Sequence, residues 1–282
     1  MHTEKAYAKV NLFLDITSHR EDGFHDIATL MQSVSLCDTL TFDVDLADNI
    51  EIILEADTHL VPTDSANLVY RAILAYLFEF GISARVRAKL EKRIPVGAGL
   101  AGGSSDAAAA LRAMRKIFGR GSDCEILALA EKLGSDVPFC LNGGTAFCTG
   151  RGEIITPMHL STPMNLVISI GDSRISTPQA YSKLDAKYEN FSDYSPVPYN
   201  VQALDIDTVC SNLYNIFESV TDLAEIEKIK GILTSHGAKG TVMSGSGPSV
   251  VGIFADDISA SLAADALYSS GFIAYTASTI KP

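Results

Sequence analysis

Over residues 5–16 bulky apolar positions partly alternate with polar ones, which predicts a strand, and Arg20-Glu21-Asp22-Gly23 behind it predicts a turn. Alternation returns at 34–45 and 50–55, with breaks at Asp38 and at Ala47-Asp48-Asn49. From 66 to 80 the period changes. Leu68, Ile73, Leu74, Leu77 and Phe78 form an apolar stripe, predicting a helix that Ser65 caps and Gly81 ends. Arg85–Leu90 has period two with Arg85, Arg87 and Lys89 on one face, which reads as a solvated strand edge rather than a phosphate contact. A glycine-rich loop then leads into an alanine-rich helix at 104–118, and a second helix at 123–133 stops at Gly134.

Past Gly143-Gly144 the pattern predicts strands at 145–149 and 153–156, a fully buried strand at 164–170 and a long surface loop at 189–200. Helices near 205–219 and 222–235, strands near 239–243 and 249–254, a helix at 257–270 and a strand at 272–278 close the chain. This mixed order predicts an α+β fold in two lobes joined near 150–162.

Composition narrows the function classes. The 282 residues are 47% hydrophobic and 20% charged, which excludes wholesale disorder. The net charge is −12, and residues 1–150 and 151–282 each carry −6. Neither half offers the cationic surface of a nucleic-acid or anionic-membrane binder, so neither partner is expected, and any phosphate must be held by a local device. No apolar run approaches the ~20 residues of a membrane span, and Met1-His2-Thr3-Glu4-Lys5 does not open a signal peptide, so the expected location is cytoplasmic. Cys37, Cys124, Cys140, Cys148 and Cys210 lack paired spacing and read as reduced thiols. His2, His19, His59, His159 and His236 show no metal-ligand spacing.

The most informative stretch is Pro95-Val96-Gly97-Ala98-Gly99-Leu100-Ala101-Gly102-Gly103-Ser104-Ser105. Its glycines let backbone N–H groups approach a ligand and take positive φ, and the serines sit where a helix begins, so unpaired amides and the helix dipole serve an anion. Gly97-x-Gly99-x-x-Gly102 matches the dinucleotide fingerprint by letter, but Glu91–Pro95 stands where an apolar strand should. A Walker A loop fails too, because no Lys-Ser/Thr follows. The alternatives left are a flexible turn and a phosphate cradle of a third kind. Gly245-Ser246-Gly247 lacks the context of a hydrolase elbow and reads as a backbone turn that narrows a cleft.

That loop resembles the second signature motif of the GHMP kinases, the superfamily of galactokinase, homoserine kinase and mevalonate kinase. Ala8-Lys9-Val10-Asn11-Leu12-Phe13-Leu14 with Asp22-Gly23-Phe24-His25, Leu133-Gly134-Ser135-Asp136-Val137-Pro138-Phe139, Gly144–Phe147 with Gly150–Glu153, and Met243–Ser249 resemble further family motifs in the expected order. The resemblance implies an N-terminal lobe like ribosomal protein S5 over 1–155, carrying the ATP loop and the catalytic pair, and a ferredoxin-like C-terminal lobe over 156–282. It implies ATP as phosphoryl donor, held by residues 95–105, with Mg²⁺ carried by the ATP and Asp136 or Ser105 near enough to reach it. Asp136 would accept or orient the proton of the attacking hydroxyl, and Lys9 would keep Asp136 ionised and help place the hydroxyl.

The small-molecule substrate it implies is 4-diphosphocytidyl-2-C-methyl-D-erythritol. Asn11, on the same strand face as Lys9, would contact the polyol and His25 would read the cytosine edge. Phe24 and Tyr181 would sandwich the base, with core packing as the alternative for each. Thr177 would touch the substrate, and Asn67 either approaches adenine or caps a helix. Other GHMP kinase substrates, a non-catalytic nucleotide binder and a dinucleotide oxidoreductase are the competing readings.

Overall fold

Two strands far longer than the alternation suggests organise the chain, β1 (His2–His19) and β2 (His25–Leu46). The computed structural model describes residues 1–171, 176–188, 191, 204–221 and 224–281. Lys9–Ile16 of β1 and Ile27–Val34 of β2 are buried at every position, so both faces of these stretches are covered. Burial of both faces erases period two, which is why the first half of β2 is invisible as a strand in the sequence. Asp38, expected as a break, lies inside β2 and is fully buried.

Contacts divide the chain into two compact units. The first holds Met1–Ala8, Cys37–Val96 and Ala101–Gly143; the second holds Lys9–Leu36, Gly97–Leu100 and Gly144–Pro282. The division is thus not one cut near 155: two early segments go with the later part of the chain.

The first unit contains β3 (Glu51–Ala56), α1 (Leu68–Glu79), β4 (Ala84–Glu91), α2 (Gly102–Phe118), α3 (Asp123–Leu133) and α4 (Val137–Asn142). Strand β4 pairs in parallel with β3 and antiparallel with Thr39–Leu46 of β2. Its inward side chains are Ala84, Val86, Ala88 and Leu90. Its outward cations are neutralised, Arg85 by Glu51, Arg87 by Asp43 and Asp45, and Lys89 by Glu91, as a solvated face requires. The cap of α1 is Asn67 and not Ser65: Asn67 Oδ1 accepts the Val69 N–H at 2.8 Å while Nδ2 donates to the Pro62 carbonyl at 2.7 Å. Both of its polar atoms are therefore spent on the fold. Ala107–Ala110 are buried on every side of α2, and their small side chains let α1 and α4 pack against it. Helix α3 has the expected bounds and opens with a capping box between Ser122 and Glu125. Helix α4 was not expected; Pro138 stands in its first turn, where a missing N–H costs nothing.

The second unit continues with β5 (Thr145–Thr149), β6 (Ile154–Met158), β7 (Asn165–Ile170), α5 (Thr177–Lys187), α6 (Ile206–Ser211), β8 (Tyr214–Asn215), a 3₁₀ turn (Ile216–Val220), α7 (Ala224–Ser235), β9 (Gly240–Met243), β10 (Val250–Phe254), α8 (Asp257–Ser269) and β11 (Ile273–Ser278). Strand β5 pairs with Thr29–Gln32 of β2 and with β6. The helix expected over 205–219 is broken: β8 lies parallel to Phe13-Leu14 of β1, and Asn215 holds the break. Its Oδ1 accepts from Phe217 N and its Nδ2 donates to the Met243 and Gly245 carbonyls.

A four-stranded antiparallel sheet has the order β11-β7-β10-β9. Numbered along the chain that order is 4-1-3-2 with helices in the crossovers, the ferredoxin-like arrangement. Helices α7 and α8 cover it through Ile229, Leu233, Ala263 and Leu267. Full burial stabilises each large apolar side chain there by about 1.5–3 kcal/mol. Strand β7 is buried from Leu166 to Ile170, Ser169 included, while Asn165 at its start is half-buried, so the expectation of full burial holds for all of the strand but its first residue. Nearly all of the loop expected at 189–200 lies outside the described residues. Among the described residues no helix is long and apolar enough to cross a membrane.

Candidate active site

In the second unit a relay of hydrogen bonds fixes the polar side chains buried on β1. Lys9 Nζ donates to Asn11 Oδ1 at 2.7 Å, Asn11 Nδ2 donates to Thr29 Oγ1 at 2.8 Å, and Thr29 Oγ1 donates to the Phe13 carbonyl at 2.6 Å. Each group has a single consistent role, so the Asn11 amide has one orientation, its oxygen on the ammonium. Lys9 and Asn11 are 5% and 2% exposed, so their hydrogen bond lies out of water. The strand-face argument had placed these two side chains together, and they are. Thr29, which orients Asn11, carried no sequence signal.

The loop segment Gly97–Leu100 is sewn to β1 and to the turn after β9. Lys9 N–H donates to Leu100 O at 3.1 Å, Ser244 Oγ donates to Gly99 O at 3.1 Å while accepting from Asn11 N, and Ser249 Oγ donates to Ala98 O at 2.5 Å. Ser244 and Ser249 are fully buried, so the third motif serves as an anchor for the loop rather than as a cover. Gly97 and Gly99 take φ of +71° and +77°. A Cβ on Gly99 would lie 2.4 Å from the Ser244 carbonyl oxygen, whereas one on Gly97 would meet nothing within 4 Å.

In the first unit lie Pro95, Val96 and, from Ala101 on, the start of α2. Ala101 is left-handed at φ +55° and gives α2 no side-chain cap, and the first turn, with Gly102, Gly103 and Ser104, contains no acidic residue. The opening amides and the positive end of the dipole are thereby left for an anion. Ser105 is 1% exposed and its hydroxyl donates to the Tyr7 carbonyl at 2.5 Å, tying α2 to β1.

Behind the loop sits a buried ionic triad that sequence reasoning missed. Lys92 Nζ donates to Asp38 Oδ2 and, at 2.8 Å, to Asp106 Oδ2, while Asp38 Oδ1 accepts the N–H groups of Arg93 and Ile94. Burial alone would lower the Lys92 pKa; the charges of Asp106 and Asp38 outweigh it and raise it. Burial pushes Asp106 up to about 7, helped by the Asp38 charge and opposed by Lys92. Asp106 Oδ1 has no hydrogen-bond partner among the described residues. Asp136, also in this unit, precedes α4 with αR geometry and its side chain does not cap the helix.

The residues expected to read the base lie in the second unit. Arg20 clamps the turn: it donates to Asp22 and Asp26, and Asp22 Oδ1 accepts the Phe24 N–H at 3.1 Å. Phe24 is thereby held 53% exposed, its ring under Arg151 at 5.2 Å, and is not packed in the core. His25 is buried, and its ring centroid lies 4.8 Å from that of Tyr181, which meets Phe217 edge-on. His25 Nε2 and His19 Nε2 both face Asp185 Oδ1. Burial raises the Asp185 pKa, and the bonds to His25 and His19 more than reverse that, leaving it lowered. Thr177 Oγ1 bonds Ser246 Oγ at 2.8 Å, which fastens the first turn of α5 to the turn after β9.

Family models match at both ends of this arrangement: the GHMP kinases N-terminal domain over residues 67–144 and the GHMP kinases C-terminal domain over 205–273. A 4-diphosphocytidyl-2-C-methyl-D-erythritol kinase of Caldicellulosiruptor saccharolyticus is 41% identical over 93% of this chain and 91% of its own length. One from Exiguobacterium sibiricum is 43% identical over 87% and 86%. A crystal structure of 4-(cytidine 5'-diphospho)-2C-methyl-D-erythritol kinase superposes with a TM-score of 0.79 at 32% identity, covering 100% of both chains. The chain therefore belongs to the GHMP kinases and, within them, to the family of the 4-diphosphocytidyl-2-C-methyl-D-erythritol kinases.

Proposed function

We propose that this chain is a cytoplasmic enzyme that transfers the γ-phosphate of ATP to the 2-hydroxyl of 4-diphosphocytidyl-2-C-methyl-D-erythritol, a step of the non-mevalonate isoprenoid route. The observation that carries the phosphoryl half is the start of α2, a helix without a side-chain cap entered from a glycine loop with positive φ. In a chain of −12 charge, those amides are the local device an ATP phosphate needs. The identities of 41% and 43% to relatives named for this substrate support the acceptor.

In this reading residues 95–105 cradle ATP. Mg²⁺, when bound with the nucleotide, would supply positive charge to the phosphates, and Ser105 is the residue that would reach it. The Ser105 hydroxyl spends its proton on Tyr7, which leaves oxygen lone pairs of the hard kind Mg²⁺ accepts. Asp136 takes or orients the hydroxyl proton. Lys9 supplies positive charge that favours the ionised carboxylate, and Asn11, oriented by Thr29, contacts the polyol. Phe24 and Tyr181 flank the cytosine, His25 reads its edge, and Thr177 contacts the substrate.

ADP release with Mg-ATP tests this. Turnover should require the cytidyl substrate and fall ~10²-fold or more in Asp136→Asn, with melting unchanged. Turnover with mevalonate or homoserine in its place would overturn the acceptor and leave the nucleotide reading standing.

A further inference from the structure

Phosphoryl transfer gives no work to His19 or Asp185, yet with His25 they bring three donor atoms to one place. His25 Nε2 lies 2.8 Å and His19 Nε2 2.9 Å from Asp185 Oδ1, and the two Nε2 atoms lie 3.1 Å apart. They come from the end of β1, the start of β2 and the last turn of α5.

Hydrogen bonds alone do not account for this triangle. An imidazole nitrogen carries one proton or one lone pair, directed in the ring plane, so each Nε2 serves one neighbour well, and here each has two. With both Nε2–H groups donating to Asp185 Oδ1, two edges of the triangle are hydrogen bonds, and the third, 3.1 Å between the two nitrogens, joins like groups that do not bond each other.

Three donors at equal mutual distance are what an ion at their common centre imposes. With metal–ligand bonds of about 2.0–2.1 Å, donors at right angles stand about 2.9 Å apart and donors at tetrahedral angles about 3.4 Å apart. The observed edges of 2.8–3.1 Å lie at or just below these spacings, so a small outward shift of the three donors admits the ion.

We propose that His19, His25 and Asp185 form a binding site for a first-row divalent cation of the zinc class. Two imidazoles and one carboxylate are a borderline donor set that suits Zn²⁺ or Co²⁺ and not the all-oxygen preference of Mg²⁺ or Ca²⁺. Entry is open, since the side chains of His19 and Asp185 are 50% and 37% exposed, while His25 at 6% forms a fixed wall. Tyr181 and Phe191 pack their rings on the imidazoles and hold them in place. Through His25 the ion occupies the position assigned above to the cytosine edge. On that reading, bound metal and substrate compete, and the protein is inhibited by zinc in a substrate-reversible way.

The test titrates Zn²⁺, and Co²⁺ for its colour, into the full chain in a non-chelating buffer without ATP or substrate. The expected result is one saturable ion per chain, with visible Co²⁺ bands and without the near-ultraviolet thiolate band that exposed Cys124 would contribute. His19→Phe keeps the ring packing and lies outside the proposed substrate and catalytic residues; it and Asp185→Asn should each weaken binding at least about 10–100-fold, with melting unchanged. Unaltered affinity in both variants, or a thiolate band, would overturn the site. A second arm measures the substrate KM with Zn²⁺ present. A raised KM at constant kcat, abolished by His19→Phe, supports competition. Metal binding with no change in KM upholds the site and takes the cytosine away from His25.

Discussion

Positions 99 and 101 of the loop show how one backbone region imposes opposite demands on neighbouring residues. Gly99 is left-handed, and a Cβ there meets the Ser244 carbonyl at 2.4 Å; Ala101 is left-handed too, yet already carries its Cβ. Gly99→Ala therefore adds about 1–2 kcal/mol of conformational cost to a backbone collision, and the melting temperature should fall by roughly 4 °C or more while the KM for ATP rises. Ala101→Gly relieves a similar strain but adds about 0.5–1 kcal/mol of chain entropy, so its melting temperature should stay within about 2 °C of the parent. Equal losses in the two variants would contradict the geometry. The glycines were legible because only glycine tolerates such turns cheaply. The serines that hold the loop, Ser244 and Ser249, were legible only as letters of a motif, since their partners are carbonyls about 150 residues away.

Among the elements, α2 is anchored from beneath by its own Asp106 through Lys92 to Asp38 of β2. Two carboxylates and one ammonium leave one surplus negative charge in a dry site, and Asp106 responds with a pKa of about 7. An acid whose pKa is higher folded than unfolded binds more protons in the native state between the two values. Its contribution to stability is complete below about pH 4 and is lost as the pH rises through about 7. Asp106→Asn removes that dependence. Its melting temperature relative to the parent should therefore be higher at pH 8 than at pH 5; an offset that does not change with pH would show that Asp106 stays ionised.

The triad also marks the limit of element reading. Asp38 looked like a strand break because an isolated carboxylate belongs in water, and only its partners, 54 and 68 positions further along, make it a strand residue. Helix α1 was legible from its apolar stripe and α2 from its alanine-rich run. The 205–219 stretch was also read as helix, but pairing of β8 with β1 overrides it. Helix α5 has Pro178 and few apolar positions, and only Ala180 and Leu184 are buried, so it left almost no periodic signal.

For the whole molecule, the charge of −12 opposes the approach of ATP at long range, while on the proposed reading the loop amides attract it at contact. Raising the ionic strength from about 0.01 to about 0.15 M shortens the Debye length from about 30 to about 8 Å and screens the repulsion first. Stopped-flow association of Mg-ATP should therefore speed up with salt. A rate that falls would mean that a positive field at the loop outreaches the net charge.

Strands β3, β4 and β7, helices α1, α2, α3, α7 and α8, the glycine loop and the spacing of Lys9 and Asn11 were determined by sequence alone, because each rests on local pattern or on the steric allowance of single residues. That stretches of β1 and β2 are buried on both faces, that Ser244 and Ser249 brace the loop while Asn215 holds the turn after β9, and that His19, His25 and Asp185 converge were decided only by tertiary structure. Those features depend on side chains remote in the chain satisfying one another's donors and charges out of water, a condition no single segment carries.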